Sequence, residues 1–228
     1  MKKIAISCRT ENHISYEETW DALSHDWKDF LKKFNLIPIY IPNIAKEVKY
    51  WIKTIKPDGV ILTGGNNYIK RDVLDKSFSR VRNITEHCVI DYVVKNSLPL
   101  LGVCRGMHVI NSYFGGKISK DITCGNTYSK HVNNNHQIKL LQPFLKIMKN
   151  ENIVVNSFHN QGIKKKYLSK KLQKIAYSIE DELIEFYSHV TKPILGIQWH
   201  PERKNISNVL DKKIFKSLFN KNDYFWLK

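Results

Sequence analysis

Three residues of the chain have the types and the spacing of a cysteine nucleophile with its base and an orienting carboxylate. Cys104 lies in L-L-G-V-C-R-G-M at residues 100–107, and His200 and Glu202 lie in I-L-G-I-Q-W-H-P-E at residues 194–202. In such a set a thiolate attacks a carbonyl carbon, the histidine moves protons, and the carboxylate holds the imidazole. The set predicts acyl transfer through a covalent thioester.

The surroundings of Cys104 are typical of a nucleophile on a tight turn between a strand and a helix. The residues two before and two after such a nucleophile must be small, and Gly102 and Gly106 are. The turn would place the sulfur above the carboxyl end of a sheet and at a helix N-terminus, which favours the thiolate. The backbone N–H of Arg105 would then face a developing oxyanion. The alternative interpretation is a buried core cysteine in a glycine-containing turn.

His200 stands at the carboxyl end of a predicted strand, and Pro201 keeps it extended. Residues two apart on an extended chain project to the same side, so Glu202 can reach the imidazole. His200 and Cys104 are thus both predicted at carboxyl ends of strands in one sheet. This coincidence favours a Cys-His-Glu triad over an isolated capping histidine.

The order of elements predicts an α/β protein. Strands are expected at residues 3–7, 36–41, 59–62 and 98–103, alternating with helices at residues 16–34, 44–55, 81–94 and 105–113. The first of these helices is predicted from apolar residues at helical spacing, among them Trp20 and Trp27. The second half is β-rich, with strands at residues 136–141, 153–157, 175–178, 183–187 and 194–198 and a tail helix at residues 209–219. This rhythm predicts a flavodoxin-like, doubly wound, mainly parallel sheet with helices on both faces. No linker or repeat divides the chain, so residues 1–228 are expected to form a single domain.

Composition restricts the remaining classes of function. The 228 residues are 42% hydrophobic and 25% charged, and no apolar run approaches the roughly 18 residues of a membrane span. The N-terminal stretch lacks a secretory apolar region and the cysteines are scattered, which predicts a cytoplasmic protein without disulfides. Its three other cysteines are expected to be buried or incidental thiols: Cys8, Cys88 and Cys124. The formal charge of +16 is spread along the chain, which favours a solvated basic surface over nucleic-acid binding and suits a small anionic substrate.

Four ordered motifs resemble the class I glutamine amidotransferases, and most closely their γ-glutamyl-γ-aminobutyrate hydrolase-like (peptidase C26) branch. They are T-G-G at residues 63–65, G-V-C-R-G at 102–106, V-N-S-F-H-N-Q-G at 155–162 and Q-W-H-P-E at 198–202. The resemblance covers essentially the whole chain. It implies one class I amidotransferase domain that hydrolyses a small-molecule γ-glutamyl amide and releases glutamate without a metal or an organic cofactor. The spacing of His131 and His136 does not predict a metal site.

The resemblance also assigns residues around the triad. It implies oxyanion-hole amides from Gly64, Gly65 and Arg105, and a glutamyl pocket beside Asn156, Ser157 and His159. The alternative for residues 156–161 is a hydrogen-bonded turn that braces the site without touching substrate. His108 departs from the family, which commonly has glutamine at this position. It either takes over or rearranges the glutamyl contact, or it is an ordinary residue of the helix face.

The leaving group is less constrained by the sequence. The turn at residues 7–10 and the basic balance suit an anionic leaving portion. The pattern also resembles the γ-glutamyl-CDP-amidate hydrolases of capsule biosynthesis, and this substrate is the expectation. Three alternatives stay open: hydrolysis of γ-glutamyl-GABA-type compounds, a glutaminase subunit that feeds a separate synthetase, and a non-catalytic binding member of the fold. Homo-oligomerisation is also left open.

Overall fold

The structure is a computed structural model, and it describes residues 1–13, 15, 18–68, 78–119, 122, 131–204 and 208–227. Cys124 and the predicted start of the first helix at residue 16 lie outside these residues.

Eleven strands and six α-helices are defined in the described residues. The strands are β1 Lys2–Ser7, β2 Arg9–His13, β3 Glu18–Ala22, β4 Leu36–Ile41, β5 Gly59–Leu62, β6 Leu100–Val103, β7 Val132–Leu140, β8 Asn152–Phe158, β9 Leu172–Ser178, β10 Ile184–His189 and β11 Ile194–Ile197. The helices are α1 Asp26–Lys32, α2 Val48–Ile55, α3 Phe78–Asn96, α4 Arg105–Tyr113, α5 Phe144–Met148 and α6 Asn208–Phe215, which continues as a π-helix over Lys216–Lys221.

Nine strands form one twisted sheet in the order β4-β1-β5-β6-β11-β10-β9-β7-β8. The first five are parallel, and every pair beyond β11 is antiparallel. β2 and β3 form a separate antiparallel hairpin. The predicted α/β, mainly parallel fold with a β-rich second half is therefore confirmed.

The sheet is buried on both faces because successive strand residues point to opposite sides. Ile4 and Ile6 of β1 pack with α1, α6 and the π-helix, whereas Ala5 packs with α2, α3 and α4. The same alternation separates Leu101 from Leu100 on β6. This double cover leaves the carboxyl ends of the parallel strands as the open edge of the sheet. None of the described helices combines the length and the apolarity that a membrane span needs.

The predicted helix over residues 16–34 is wrong in its first half. The chain forms the hairpin β2–β3 there, and α1 begins only at Asp26. Trp20, which fitted the helical spacing, is 50% exposed on β3, whereas Trp27 is buried on α1. Backbone pairing with β2 satisfies the polar groups of residues 18–22, and Ser24 accepts the backbone N–H of Asp26 at the start of the helix.

Candidate active site

Cys104 lies on a strained turn between β6 and α4. Its φ is 51° and its ψ is −108°, and its N–H donates to the carbonyl of Ile197 on the neighbouring strand at 2.8 Å. A Cβ at position 106 would lie 2.0 Å from the carbonyl oxygen of Leu62, so only glycine allows α4 to start this close to β5. The turn therefore has the left-handed backbone and the tight packing of a nucleophile elbow.

His200 lies between the carboxylate of Glu202 and the thiol of Cys104. Its Nδ1 is 2.7 Å from Glu202 Oε1, and a Cβ built on Gly64 would touch both its ring and the Cys104 side chain, so the ring lies next to the cysteine. Burial alone would lower the pKa of His200, but the charges of Glu202 and Cys104 and the hydrogen bonds to both raise it to about 10. At neutral pH the imidazole is therefore in its protonated form.

Asn156 fixes the backbone of His200. The side-chain oxygen of Asn156 accepts the His200 N–H at 2.8 Å, and its amide nitrogen donates to the His200 carbonyl at 2.8 Å. Both the oxygen and the nitrogen of the Asn156 amide thus hydrogen-bond to the backbone of the turn that follows β11. The structure places Asn156 behind the histidine, and the two cavities described below do not include it among their walls.

The loop after β5 passes directly against the side chains of Cys104 and His200. A Cβ at Gly64 would lie 2.6 Å from the His200 ring and 3.4 Å from Cys104 Cβ. Gly65 has a φ of +84°, a conformation that glycine adopts without strain. The T-G-G loop thus passes within contact distance of both the Cys104 and the His200 side chains at Gly64.

A fully buried arginine holds this loop. Arg82 of α3 donates to the carbonyls of Thr63 at 2.9 Å and Gly64 at 3.1 Å. In a trans peptide the carbonyl of one residue and the N–H of the next point in opposite directions. Because the Gly64 carbonyl faces Arg82, the N–H of Gly65 is directed away from α3.

Glu86 joins this arginine to the start of α4. Its carboxylate accepts from Arg82 Nε at 2.9 Å and also from the Arg105 guanidinium, which in turn donates to Asn83. Burial would raise the pKa of Glu86, but the two arginines hold it below its ordinary value, and burial and Arg105 lower the pKa of Arg82 to about 10. The Arg82–Glu86–Arg105 brace thereby ties the loop at residues 63–65 to the residue that follows Cys104.

His108 lies at the base of the site and contacts a glutamine beside the sulfur. Its Nε2 donates to Gln198 Oε1 at 2.8 Å, and Gln198 Nε2 lies 3.7 Å from Cys104 Sγ. Burial first, and then Arg105, lower the pKa of His108 to about 4, so the ring is neutral at physiological pH. His108 is therefore buried and reaches the sulfur of Cys104 through Gln198, so it is not an ordinary residue of the helix face.

Two cavities meet at Gly65. The smaller, about 150 Å³, is bordered by Cys104, His108 and His159. The larger, about 370 Å³, is bordered by His200 and Glu202. Cys104 and His200 therefore border different cavities, and Gly65 borders both.

The segment at residues 156–161 is largely committed to internal contacts. Ser157 is fully buried and donates to the His131 carbonyl at 3.0 Å. His159 Nδ1 donates to the Gln161 carbonyl at 3.0 Å, and the Gln161 side chain accepts the N–H of Tyr68 and donates to its carbonyl. Within this segment His159 is the predicted substrate residue that reaches a cavity wall.

A histidine–carboxylate cluster lies behind this segment. One ligand atom each from His131, His159 and Glu185 lies within 4.8 Å of the others, and all three side chains are buried. His131 is already used on both nitrogens, at 2.6 Å from Asp181 and 3.3 Å from Ser157 Oγ. A cation bound by His131 would have to displace one of these partners, whereas His159 Nε2 and both carboxylate oxygens of Glu185 are buried without a hydrogen-bond partner among the described residues.

The sequence patterns did not indicate a role for four residues around the site. They are Arg82, Glu86, Gln198 and Arg203. The spacing of Arg82 and Glu86, four residues apart on a predicted helix, is the signal that could have indicated the ion pair. The other cysteines in the described residues behave as expected: Cys8 and Cys88 are buried, and burial and Asp21 raise the pKa of Cys8 to about 11.

The fold, the strained cysteine turn and the adjacent histidine–glutamate pair define a glutamine amidotransferase-type hydrolase. The chain belongs to the peptidase C26 family, whose profile matches residues 3–202. Members of this class act on γ-glutamyl amide bonds, and the protein is a hydrolase of that type.

Individual relatives cover nearly the full chain. The protein is 32% identical to the γ-glutamyl-CDP-amidate hydrolase of Campylobacter jejuni, over 95% of this chain and 97% of that protein. It is 29% identical to the glutamine amidotransferase-like protein YvdE of Lactococcus lactis, over 88% of this chain and 90% of that protein. Among solved structures, a glutamine amidotransferase of Thermotoga maritima shares the fold with a TM-score of 0.63 at 14% identity, over 98% of this chain and 86% of that one.

Proposed function

We propose that the protein cleaves a γ-glutamyl amide with a Cys104–His200–Glu202 triad. The observation that carries this proposal is the placement of His200, which is paired with Glu202 at 2.7 Å and lies next to a cysteine with a φ of 51°. The smaller cavity, next to Cys104, would hold the glutamyl group, with His108 and His159 at its wall. Residues 1–228 would act as one domain, because strands from both halves share one sheet.

The reaction has two steps. The Cys104 thiolate attacks the γ-carbonyl carbon to form a C–S bond, and the carbonyl oxygen takes the negative charge near the N–H groups of Gly65 and Arg105. The oxyanion collapses, the C–N bond breaks, and the His200 imidazolium protonates the departing nitrogen. His200 then takes a proton from water as its oxygen adds to the thioester carbon, and the C–S bond breaks to free glutamate and restore the thiolate.

Arg82, Glu86 and Asn156 would support these steps without contacting substrate. Arg82 orients the peptide that carries the Gly65 N–H, and Glu86 ties it to Arg105. Asn156 holds the turn that presents His200. We therefore assign Asn156 and Ser157 positioning roles in place of the substrate contacts expected from the sequence, and we expect truncation of Asn156 to act on kcat.

The test is direct detection of the acyl-enzyme. Wild-type protein mixed with a γ-glutamyl substrate and quenched in acid should carry a γ-glutamyl thioester that peptide mass spectrometry locates on Cys104. Cys104→Ser should release no glutamate by that route, whereas Cys88→Ser, a matched change at a buried cysteine, should keep activity. Glutamate release by Cys104→Ser at the wild-type rate would refute the assignment.

For the leaving group we propose a cytidine-diphosphate amidate, as in capsule phosphoramidate synthesis. The support is the likeness over nearly the whole chain to the Campylobacter jejuni hydrolase of γ-glutamyl-CDP-amidate. The measurement is kcat/KM for γ-glutamyl-CDP-amidate against γ-glutamyl-GABA and free glutamine. A higher kcat/KM on either of the latter would refute the nucleotide substrate.

A glutaminase subunit is the second candidate, because the chain also resembles the GMP synthase of Ehrlichia ruminantium at 25% identity. That match covers 72% of this chain but 28% of the synthase. Such a subunit would show weak glutaminase activity that rises when a synthetase partner is added. High activity of the protein alone on γ-glutamyl-CDP-amidate would exclude this alternative.

A further inference from the structure

The larger cavity lies on the side of the proposed triad from which a leaving group departs. Cys104 borders the smaller cavity, whereas His200 borders the larger one, and Gly65 borders both. In the proposed reaction the acyl carbon bonds to Cys104 while the departing nitrogen receives its proton from His200. The scissile bond must therefore cross from the smaller cavity into the larger one at Gly65.

Two arginines stand in the wall of this larger cavity. Arg9 begins the hairpin β2–β3, and its side-chain carbons lie so close to Gly65 that a Cβ there would be 2.9 Å from Arg9 Cδ. Arg203 follows Glu202, and its guanidinium lies 4.3 Å from the Phe158 ring centre. The two side chains thus come from opposite ends of the chain to the same space beside His200.

Both guanidinium groups are accessible to a ligand. Arg9 is paired with Glu11, but the two side chains are 50% and 45% exposed, and a pair of that kind contributes little. Arg203 is also exposed. Of the acidic members of the wall, Glu202 is paired with His200, whereas Asp26 keeps its charge and accepts a hydrogen bond from Ser24 at 3.0 Å. Arg9, Arg203 and the His200 imidazolium therefore outnumber the two carboxylates. The cavity is therefore suited to an anion.

We propose that the larger cavity is a leaving-group site for a phosphorylated, nucleotide-sized anion that Arg9 and Arg203 bind. This rests on the proposed function, because the direction of departure follows from the role of His200. Guanidinium groups match phosphate oxygens with paired hydrogen bonds. The volume of about 370 Å³ lies in the range of sites for drug-sized ligands, well beyond the needs of ammonia.

The hairpin β2–β3 would then be the specificity element of the site. It carries Arg9 at its base, and Ala22, which pairs with Arg9, also borders the cavity. The strand β3 replaces the first half of the helix that the sequence predicts. None of the four family motifs lies in the hairpin, so the motifs do not indicate its function.

A calorimetric titration of the wild-type protein tests the site without turnover. The probes are cytidine diphosphate, inorganic pyrophosphate and γ-aminobutyrate. Cytidine diphosphate should bind most tightly, and Arg9→Gln and Arg203→Gln should each raise its Kd by about 10- to 100-fold. Lys53→Gln removes an equal charge from exposed α2 on the other face of the sheet and should change Kd by less than about twofold.

Two results would overturn the site. One is an equal loss of affinity in Lys53→Gln, which would mean binding to the basic surface at large. The other is tighter binding of γ-aminobutyrate than of cytidine diphosphate. In the kinetic arm, each arginine variant should lower the ratio of kcat/KM for γ-glutamyl-CDP-amidate to that for γ-glutamyl-p-nitroanilide by at least about tenfold. If neither compound is hydrolysed the proposed function fails, and the titration alone still decides the binding site.

Discussion

Replacing Glu202 with glutamine should move the alkaline limb of activity toward neutral pH. The change keeps the shape of the side chain but removes the negative charge that lies 2.7 Å from His200 Nδ1. The pKa of His200 is about 10 in the folded protein against an ordinary value of 6.5. An opposite charge this close accounts for about 1 to 3 pH units, so the His200 pKa in Glu202→Gln should fall to about 7 to 9.

The direction of the effect follows from the role proposed for His200. Its imidazolium protonates the departing nitrogen, so kcat/KM should fall as pH rises through the His200 pKa. The assay is kcat/KM between about pH 6 and 10 for wild type, Glu202→Gln and the exposed control Glu47→Gln. Coincident alkaline limbs in wild type and folded Glu202→Gln would refute the reasoning, as would an equal shift in the control.

The same ionisation should appear in stability. Because the folded pKa of His200 is raised, its contribution is fully present below pH 6.5 and is lost as pH rises through about 10. The difference between the ordinary pKa of 6.5 and the folded pKa of about 10 corresponds to on the order of 5 kcal/mol in the free energy of unfolding. Urea unfolding at the two ends of this window should show a smaller loss in Glu202→Gln than in wild type. Equal losses would mean that the carboxylate does not hold the charge of His200.

Three further changes test the supporting contacts. Glu86→Gln breaks a buried charge network, so urea unfolding should show a loss of about 3–5 kcal/mol in the free energy of unfolding. In the fraction that stays folded, single-turnover kinetics should show kcat lowered about 100-fold. Asn156→Ala should lower kcat about tenfold at unchanged KM, because two hydrogen bonds to the His200 backbone are lost; a rise in KM alone would indicate substrate contact. Gly106→Ala should destabilise the fold by about 3 kcal/mol or more through its overlap with the Leu62 carbonyl, seen as a lower Tm.

Local patterns predicted the elements that carry the reactive pair. The strand at Gly59–Leu62 and the helix at Arg105–Tyr113 have the predicted bounds. A short apolar run followed by T-G-G marks the buried strand, and the glycines on either side of Cys104 mark the turn before the helix. The first helix was wrong because Trp20 matches a helical period as well as a strand. Pairing with residues 9–13, a contact outside any helical window, decided the outcome.

The supporting contacts could not be predicted because they join distant parts of the chain. Asn156 and His200 are 44 residues apart, and Arg82 and Thr63 are 19 residues apart. A motif shows that such residues occur, but only the folded chain shows which polar groups face one another. The bond between Gln198 and His108, 90 residues apart, is of the same kind.

The relative position of nucleophile and base depends on the register of β6 and β11. These strands are parallel neighbours, with Val103 opposite Ile197, so the turn residue Cys104 and the strand-end residue Gln198 emerge side by side. His200 lies two residues further on, which places its ring over Gly64 and next to the thiol. A shift of register by one residue would exchange the two faces of β11 and turn the residues that follow it away from Cys104. The buried apolar alternation of both strands therefore stabilises the fold and also fixes the distance between the Cys104 and His200 side chains.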